Sequence, residues 1–486
     1  MSHGPVGDDT SAIFDDEEFD SGRSAVRIAS VAALGGLLFG YDSAVINGAV
    51  KSIQQHFEIG DKSLGIAVAS ALLGAAVGAM TAGRLADRIG RLAVMKLAAL
   101  LFLISALGAG VAWNIWVLVG FRVIGGLGVG IASVIAPAYI AETSPASIRG
   151  RLGSLQQLAI VSGIFLSLAV DALLAHLAGG AGSMLWLGLE AWRWMFILMA
   201  IPAVVYGLLA FTIPESPRYL VATHRIPEAR TVLTTLLGEK NLEITIDRIQ
   251  QTLDTEQKPS WRDMCKPGGG PLSFYGIVWV GLALSVFQQF VGINVIFYYG
   301  ETLWKLAGVS EKAALERNII SGVVSIAACF ITMALVDKVG RKPLLLVGSA
   351  GMTLALGAMS WAFSQGTLDA AGALQMDPSL GMIAVIAANI YVIFFNVSWG
   401  PVMWVMLGEM FPNQLRGSAL AVCGLAQWGA NYAVVQSFPA MASGLGLAET
   451  YVLYTVSAAV SFWLVKAFLP ETKGKELEQM EGWGGH

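Results

Sequence analysis

Long apolar segments alternate with short polar connections along the 486 residues of this chain. Stretches such as 63–83, 194–214 and 343–368 contain no charged residue, and each reaches the roughly 20 residues that a membrane-spanning helix needs. We count twelve such spans and number them in chain order. They are centred near Leu37, Gly74, Ile104, Gly128, Ile164, Val204, Val286, Ala327, Leu354, Val392, Leu425 and Val460. This pattern predicts an all-α membrane protein with twelve transmembrane helices.

Composition agrees with this reading. Hydrophobic residues make up 55% of the chain and charged residues 13%, with a mean hydropathy of +0.65, whereas soluble domains carry roughly 25% charged residues. Most of the 30 lysines and arginines fall on the side of the two termini. The positive-inside rule therefore predicts cytoplasmic termini, and we expect a multi-pass protein of the plasma (inner) membrane. The cysteines Cys265, Cys329 and Cys423 lack metal or disulfide spacing.

The chain repeats itself at a distance of six spans. The segment 83–92 reads GRLADRIGRL, and 335–344 reads LVDKVGRKPL, so both contain a D-[RK]-x-G-R core. Likewise 214–218 reads PESPR and 470–474 reads PETKG. Repeats of this kind are typical of transporters that bind their substrate near the bilayer midplane. They predict two halves of six helices each.

We place the halves at residues 25–222 and 267–470. Residues 1–24 are rich in aspartate and glutamate and lack a signal-peptide start, which predicts a disordered cytoplasmic tail. The polar linker 223–266 contains two stretches with helical spacing of apolar residues, and these predict short cytoplasmic helices. Residues 471–486 form a second cytoplasmic tail.

Two charged residues interrupt the apolar spans. Asp42 lies within LLFGYDSAVI in span 1, and Arg122 lies within VLVGFRVIGGLGVG in span 4. A charge at bilayer depth costs several kcal/mol unless it is paired or hydrated, and such residues usually mark an ion or substrate path. One acid and one base predict an ion pair that protonation of the acid would weaken. A static salt bridge is the alternative.

Several motifs identify the chain as similar to the sugar porter family of the major facilitator superfamily. The most specific are PESPR and the QQFVGINVIFYYG of residues 288–300, followed by the GPVMWVMLGEMFP of residues 400–412. The resemblance extends over about residues 25–475. It implies twelve helices in two pseudo-symmetric bundles and a monosaccharide ligand.

A sugar needs both donors and acceptors for its hydroxyls, and Gln and Asn supply both. On a continuous helix, Gln289, Asn294 and Tyr298 lie near one face, although amides of this kind also serve as bonds between helices. The resemblance implies a sugar pocket formed by Gln157, Gln288, Gln289, Asn294, Trp404, Gln427 and Trp428. It implies a pocket edge or gate at Phe39, Ile164, Tyr298, Ser325, Phe395 and Gly400.

Two of these positions bear on the substrate. Ile164 stands where the bacterial xylose carrier that this chain resembles has a second glutamine, and Ser325 lies near a position where we expect asparagine in that carrier. An apolar residue at position 164 resembles the glucose carriers, so we expect D-glucose. In the family, FGY is followed by Asp in proton symporters and by Asn in passive animal carriers, and here Asp42 follows.

A second set of charges lies in the cytoplasmic loops, where exposed pairs usually contribute little to stability. The resemblance implies that these residues link the two bundles when the carrier faces outward. The set comprises Arg84, Asp87, Arg88, Arg91, Glu142, Arg149, Arg151, Glu215, Arg218, Asp337, Arg341, Lys342, Glu409, Arg416 and Glu471.

These patterns favour a proton-coupled hexose symporter. A passive carrier and a membrane sugar sensor that does not transport are the alternatives. The sequence contains no HExxH or GxSxG motif, and its five histidines are scattered, so we do not expect an enzyme. We expect no cofactor beyond the coupling proton. The expected partners are a monosaccharide, protons and the lipid bilayer; we expect no nucleic acid and a monomeric protein.

Overall fold

The computed structural model of the chain describes residues 10–144, 149–237, 242–255, 260–270, 272–372, 374–411 and 413–472. Helices account for nearly all of the regular structure in these ranges. They are α1 (Thr10–Ala44), α2 (Val50–Phe57), α3 (Asp61–Ile89), α4 (Arg91–Gly110), α5 (Ile115–Thr143), α6 (Arg149–Ala178), α7 (Ala191–Ile197), α8 (Ala200–Leu209), α9 (Pro217–Ala222), α10 (Ile226–Leu237), α11 (Leu242–Thr255), α12 (Gly276–Phe290), α13 (Ile293–Leu306), α14 (Glu311–Val339), α15 (Arg341–Ser364), α16 (Pro378–Val397), α17 (Pro401–Met410), α18 (Asn413–Gly444) and α19 (Leu447–Phe468). A short antiparallel hairpin pairs β1 (Thr367–Leu368) with β2 (Leu374–Gln375).

Within the described residues, eleven helical segments are long and apolar enough to cross a membrane. The 32-residue helix α18 occupies the place of the remaining predicted span. Three of the spans consist of two helices in succession, namely α7 with α8, α12 with α13, and α16 with α17. The prediction of an all-α membrane protein is therefore confirmed.

The ends of the chain differ in part from the prediction. Helix α1 begins at Thr10, so the prediction of disorder through residue 24 is wrong for residues 10–24. No proline interrupts this segment, and Glu17 and Glu18 are good helix formers. Residues 1–9 and 473–486 lie outside the described residues. The linker contains α10 and α11 where helical spacing was found.

The internal repeat is visible in the backbone. Gly90 joins α3 to α4 with φ of 95°, and Gly340 joins α14 to α15 with φ of 102°. Residues with a side chain rarely adopt such angles, whereas glycine adopts them at little cost. The glycine of each D-[RK]-x-G-R core is therefore the residue that allows a sharp reversal between two long helices.

The PESPR and PETKG motifs serve the same two turns. An oxygen of the Glu215 carboxylate accepts a hydrogen bond from the backbone N–H of Arg91 at 3.1 Å, at the first residue of α4. Glu471 accepts from the backbone N–H of Arg341 at 3.3 Å, at the first residue of α15. The first N–H groups of a helix have no hydrogen-bond partner within it, and a carboxylate can accept from them. Its negative charge also interacts favourably with the positive end of the helix dipole.

The two halves contact each other at the end of the bundle where α1 ends. We call this end the opposite face, and we call the end that carries α9 to α11 the linker face. The Asn47 side chain donates to the Phe297 carbonyl at 3.0 Å and accepts from the Asn318 amide at 3.0 Å. The backbone N–H of Ala181 donates to Glu311 at 2.7 Å. These bonds all run from the first half to the second, so the bundle is closed at the opposite face.

Glycines allow α3 and α5 to pack with their backbones in contact. A Cβ atom added at Gly126 would lie 1.9 Å from the Ala71 carbonyl oxygen, and one added at Gly130 would lie 2.1 Å from that of Ala75. From the other helix, a Cβ at Gly74 would lie 2.1 Å from a carbonyl oxygen of α5. Close approach of this kind is the main route to helix association in lipid, where apolar burial provides no driving force.

Replacing Gly126 by Ala should therefore force α3 and α5 apart. We expect a loss of roughly 1–3 kcal/mol, the usual cost of overpacking, seen as a lower thermal unfolding midpoint of the detergent-solubilised protein. Gly120→Ala is the matched control on the same helix, because a Cβ there meets nothing within 4 Å. Equal midpoints for the two variants would contradict this account of the α3–α5 contact.

Candidate functional site

Span 7 is broken in its middle, and the break forms the centre of the site. Helix α12 ends at Phe290 and α13 begins at Ile293. Between them, Gly292 adopts φ of 80°, a left-handed conformation that glycine favours. The prediction of one continuous helical face for Gln289, Asn294 and Tyr298 is therefore wrong. Discontinuous helices are tolerated at membrane depth only where protein or a cavity satisfies the exposed backbone.

Side-chain amides are joined across this break. Asn294 donates to the Gln289 carbonyl oxygen at 2.7 Å, and Gln289 in turn donates to that of Gln288 at 3.2 Å. Gln427 of α18 donates to the same Gln288 oxygen at 3.4 Å. Asn294 also donates to the Asn431 carbonyl oxygen at 2.8 Å. We call these five residues the amide network; it joins α12, α13 and α18.

Gln288 differs from its neighbours in what it contacts. Its NH₂ group donates to the Trp399 carbonyl at 2.9 Å and to the Gly400 carbonyl at 3.3 Å, where span 10 is interrupted between α16 and α17. At the other break, the Tyr391 hydroxyl donates to the Val291 carbonyl at 2.6 Å. Carbonyls freed by the two breaks are thus satisfied by side chains. Gln288 holds the two breaks together, and Gln289, Asn294 and Gln427 surround it.

Aromatic side chains flank the amide network. Trp428 of α18 meets Phe39 of α1 edge to face, with ring centroids 6.3 Å apart. This geometry is favourable for two aromatic rings, and the contact joins the two halves. Tyr298 and Phe395 are buried nearby in the chain's core.

Other predicted pocket residues are not joined to this network by the contacts described. Gln157 is half-buried, whereas its neighbour Gln156 is buried against α1 with both amide atoms unpaired. Trp404 is 42% exposed on α17. Ser325 donates to the Ser321 carbonyl at 2.9 Å within its own helix. Ile164 packs on the core beside α1.

The charged pair of the spans is present. Arg122 donates through one Nη atom to the Asp42 backbone carbonyl at 3.0 Å and to its carboxylate at 3.4 Å. The exposed fractions of the side chains are 2% for Arg122 and 1% for Asp42. Yet Asp42 Oδ2 and Arg122 Nε have no hydrogen-bond partner. An ion pair that is buried and only partly satisfied gains little stability.

A small cavity adjoins the pair. Asp42, Arg122 and Tyr298 line this cavity of about 10 Å³, roughly the room of a single water. The Tyr298 hydroxyl lies within hydrogen-bonding reach of Ser43 and of Asn431. Tyr298 therefore links the acid of α1 to the amides of α13 and α18.

Sequence reasoning missed several buried polar residues. Asn431 lies one helical turn after Gln427, and this spacing was a usable signal. Asp171 lies in the apolar run LSLAVDALL, as Asp42 lies in its own, and Glu301 follows the YYG of span 7. Both acids are buried, with exposed fractions of 0% and 1%.

The loop charges form contacts within one half in this conformation. Arg91 binds the Glu142 carboxylate through two nitrogens, at 3.1 and 3.0 Å, and Asp87 at 3.2 Å. Glu215 and Glu471 cap helices of their own halves, as described above. A role of these residues as links between the bundles stays a prediction for the outward-facing form.

The other loop charges make fewer contacts among the described residues. Arg84 and Arg88 are exposed, Arg218 is half-buried, and the Lys342 ammonium donates to the Lys466 carbonyl at 3.3 Å. The side chains of the remaining members lie outside the described residues. They are Arg149, Arg151, Asp337, Glu409 and Arg416.

Comparison with known proteins places the chain in a family. The profile of the family described as "Sugar (and other) transporter" matches residues 28–482. The chain belongs to this family of membrane transporters. It is 50% identical over 459 residues to a glucose transport protein of Synechocystis sp., covering 94% of this chain and 97% of that protein.

Two further similarities concern xylose carriers. The D-xylose-proton symporter of Escherichia coli is 37% identical over 489 residues, covering 93% of this chain and 94% of the symporter. Among solved structures, the partially occluded inward-open conformation of the E. coli xylose transporter XylE superposes with a TM-score of 0.80 at 35% identity. That match covers 93% of this chain and all of the other.

Proposed function

We propose that this protein is a proton-coupled symporter of a neutral monosaccharide, D-glucose, and that it works by alternating access. The observation that carries the proposal is the amide network beside the Asp42–Arg122 pair, with Tyr298 between them. The relatives named as a glucose transport protein and as a D-xylose-proton symporter support it.

The chemistry of the network suits a neutral sugar. Gln289, Asn294 and Gln427 offer donors and acceptors, and the Gln427 carbonyl oxygen has no partner. The aromatic pair Phe39 and Trp428 offers an apolar surface for the C–H groups of a sugar ring. The nearby cation Arg122 is bound to Asp42, so it is not placed to receive a phosphate or carboxylate.

The coupling follows from the geometry of the pair. When Asp42 is ionised, its charge holds Arg122 and thereby joins α1 to α5. When Asp42 is protonated, Arg122 keeps the bond to the Asp42 backbone carbonyl but loses its charged partner. The two helices then move relative to each other, and Tyr298 transmits this change to the sugar site.

Alternating access requires that the bundle open at each face in turn. The bonds of Asn47 and Glu311 close the opposite face in this conformation. We assign the linker face to the cytoplasm, in agreement with the predominance of Lys and Arg there, and we place the protein as a monomer in the inner membrane with cytoplasmic termini. Sugar in this conformation exchanges with the cytoplasm.

Replacing Asp42 by Asn should abolish uphill sugar uptake and leave exchange across the membrane intact. The amide retains the shape of the side chain but binds no proton. Proton-driven uptake and counterflow in proteoliposomes measure the two processes separately. Asp369→Asn, which changes an exposed residue beside the β1–β2 hairpin, should keep both. Full accumulation by the Asp42 variant would remove this residue from the coupling role.

Replacing Gln289 or Asn294 by Ala should weaken sugar binding by roughly 1–3 kcal/mol, the usual cost of a lost polar partner in a buried site. Isothermal titration calorimetry on the purified protein measures the affinity. Gln365→Ala at the exposed end of α15 is the control and should bind as the parent does. Unchanged affinity in both site variants would mean that the sugar binds elsewhere.

D-glucose should compete with labelled glucose uptake more strongly than D-xylose does, because Ile164 presents an apolar wall instead of a hydroxyl partner. Sugar phosphates and sugar acids should not compete, since Arg122 is already paired. Competition assays in vesicles measure the order of preference between D-glucose and D-xylose. Strong competition by xylose alone would reverse it, and competition by charged sugars would contradict a neutral substrate.

A further inference from the structure

Lys96 places a positive charge inside a membrane span of the first half. It is the sixth residue of α4, which begins at Arg91 on the linker face, so its Cα atom lies roughly 7–8 Å along the helix. Among the described residues, no carboxylate or hydrogen-bond acceptor pairs with its ammonium, which instead lies over the ring of Phe211, 4.0 Å from the centroid. A charge at this depth usually has a partner or marks a binding site.

The Lys96 side chain reaches back toward the linker face. Side chains of a helix incline toward its N-terminus, and a lysine stem lies along apolar surface while its ammonium reaches the membrane–water interface. Phe211 marks that level, because it follows the end of α8 and precedes the PESPR motif of residues 214–218. Its side chain is 70% exposed. The ammonium therefore lies at the height of lipid headgroups, beside a ring that faces the membrane.

Apolar side chains continue this surface toward the middle of the membrane. On α4, Leu100 and Ile104 follow Lys96 at steps of four residues, and both are exposed. Residues at this spacing share one face of a helix. On α8, Leu208 lies one turn before Phe211 and is also exposed. This surface fits the acyl chain of a lipid whose headgroup lies at Lys96.

The second half shows how lysines at this face are otherwise satisfied. Lys466 lies in the last turn of α19, over the ring of Trp463 at 5.1 Å, and Lys342 donates to the Lys466 carbonyl at 3.3 Å. Both cations thus lie at the C-terminal end of a helix, where the carbonyls and the dipole favour positive charge. Lys96 lies near the N-terminal end of α4 and has no such explanation, so the partner that it lacks is an anion.

We propose that Lys96 binds the headgroup phosphate of an anionic phospholipid in the leaflet at the linker face. An acyl chain of this lipid lies on Leu100, Ile104 and Leu208. A zwitterionic headgroup carries its own cation and leaves the charge of Lys96 uncompensated, whereas an anionic headgroup neutralises it. The site is separate from the amide network and does not depend on which solute is carried.

Quenching of a fluorophore by spin-labelled lipids tests this site. Thr212→Cys, at an exposed position next to Phe211, carries a bimane label in a chain whose three native cysteines are replaced by alanine. The labelled protein is placed in phosphatidylcholine nanodiscs, which leave both faces accessible. The discs contain a small fraction of either phosphatidylglycerol or phosphatidylcholine that bears the same nitroxide on its acyl chain. The ratio of the two quenching constants measures the preference for the anionic lipid.

With Lys96 present, phosphatidylglycerol should quench about fivefold more strongly than phosphatidylcholine, the effect expected of one lysine near an anionic headgroup. Lys96→Gln should bring the ratio close to one, and Lys96→Arg should keep it because the charge remains. Lys466→Gln removes a cation of the same face and is the matched control, which should keep the ratio. Phosphatidylcholine should quench all variants equally, which shows that the label still faces lipid.

Four results would overturn the proposal. A ratio near one with Lys96 present would show a surface for neutral lipid only. An unchanged ratio in Lys96→Gln would mean that the anionic lipid binds elsewhere. Loss of the ratio in Lys96→Arg as well would mean that the charge is not what binds. Loss of the ratio on addition of inorganic phosphate would show that Lys96 binds a soluble anion instead of a lipid.

Discussion

The low dielectric of the membrane interior constrains this structure more than any single contact does, because every backbone N–H and C=O at that depth must find a partner within the protein. The two helix breaks at Gly292 and near Gly400 release backbone carbonyls. Gln288 and Tyr391 recapture them at 2.6–3.3 Å. The amides that are needed to stabilise the breaks thereby stand at the midpoint of the bundle, beside those that remain available to a ligand. The polar candidate site therefore arises from the side chains that bind the backbone carbonyls released at the two helix breaks.

The same constraint explains why the buried acids suit transport. A carboxylate in such surroundings requires a cation, a donor or a proton. Asp42 has Arg122, with one oxygen left unpaired, and Glu301 has Lys305. Asp42 is thus incompletely paired in the closed form, and in the proposed coupling a change in its protonation alters the balance between conformations. A fully satisfied network would instead hold the bundle in one state.

The charges of the linker face have a structural role that their motifs did not reveal. Glu215 and Glu471 bind the free N–H groups at the start of α4 and α15, next to glycines with positive φ. Each half therefore contains the same turn, stabilised from the end of its own last span.

The sequence alone determined the number of spans, the internal repeat, the pairing of Asp42 with Arg122 and the choice of amides in span 7, because each depends on local composition or on a motif. The tertiary structure decided what depends on distant parts of the chain. Gly292 turns left-handed inside an apolar run, Asn294 bonds to Gln289 across this break, and Asn431 joins it from α18. Asn47 and Asn318 lie 271 positions apart in sequence, and only the packing of the two halves brings their side chains together. Hydrophobic periodicity records whether a residue is buried, but it carries no information about which residue of another helix it meets.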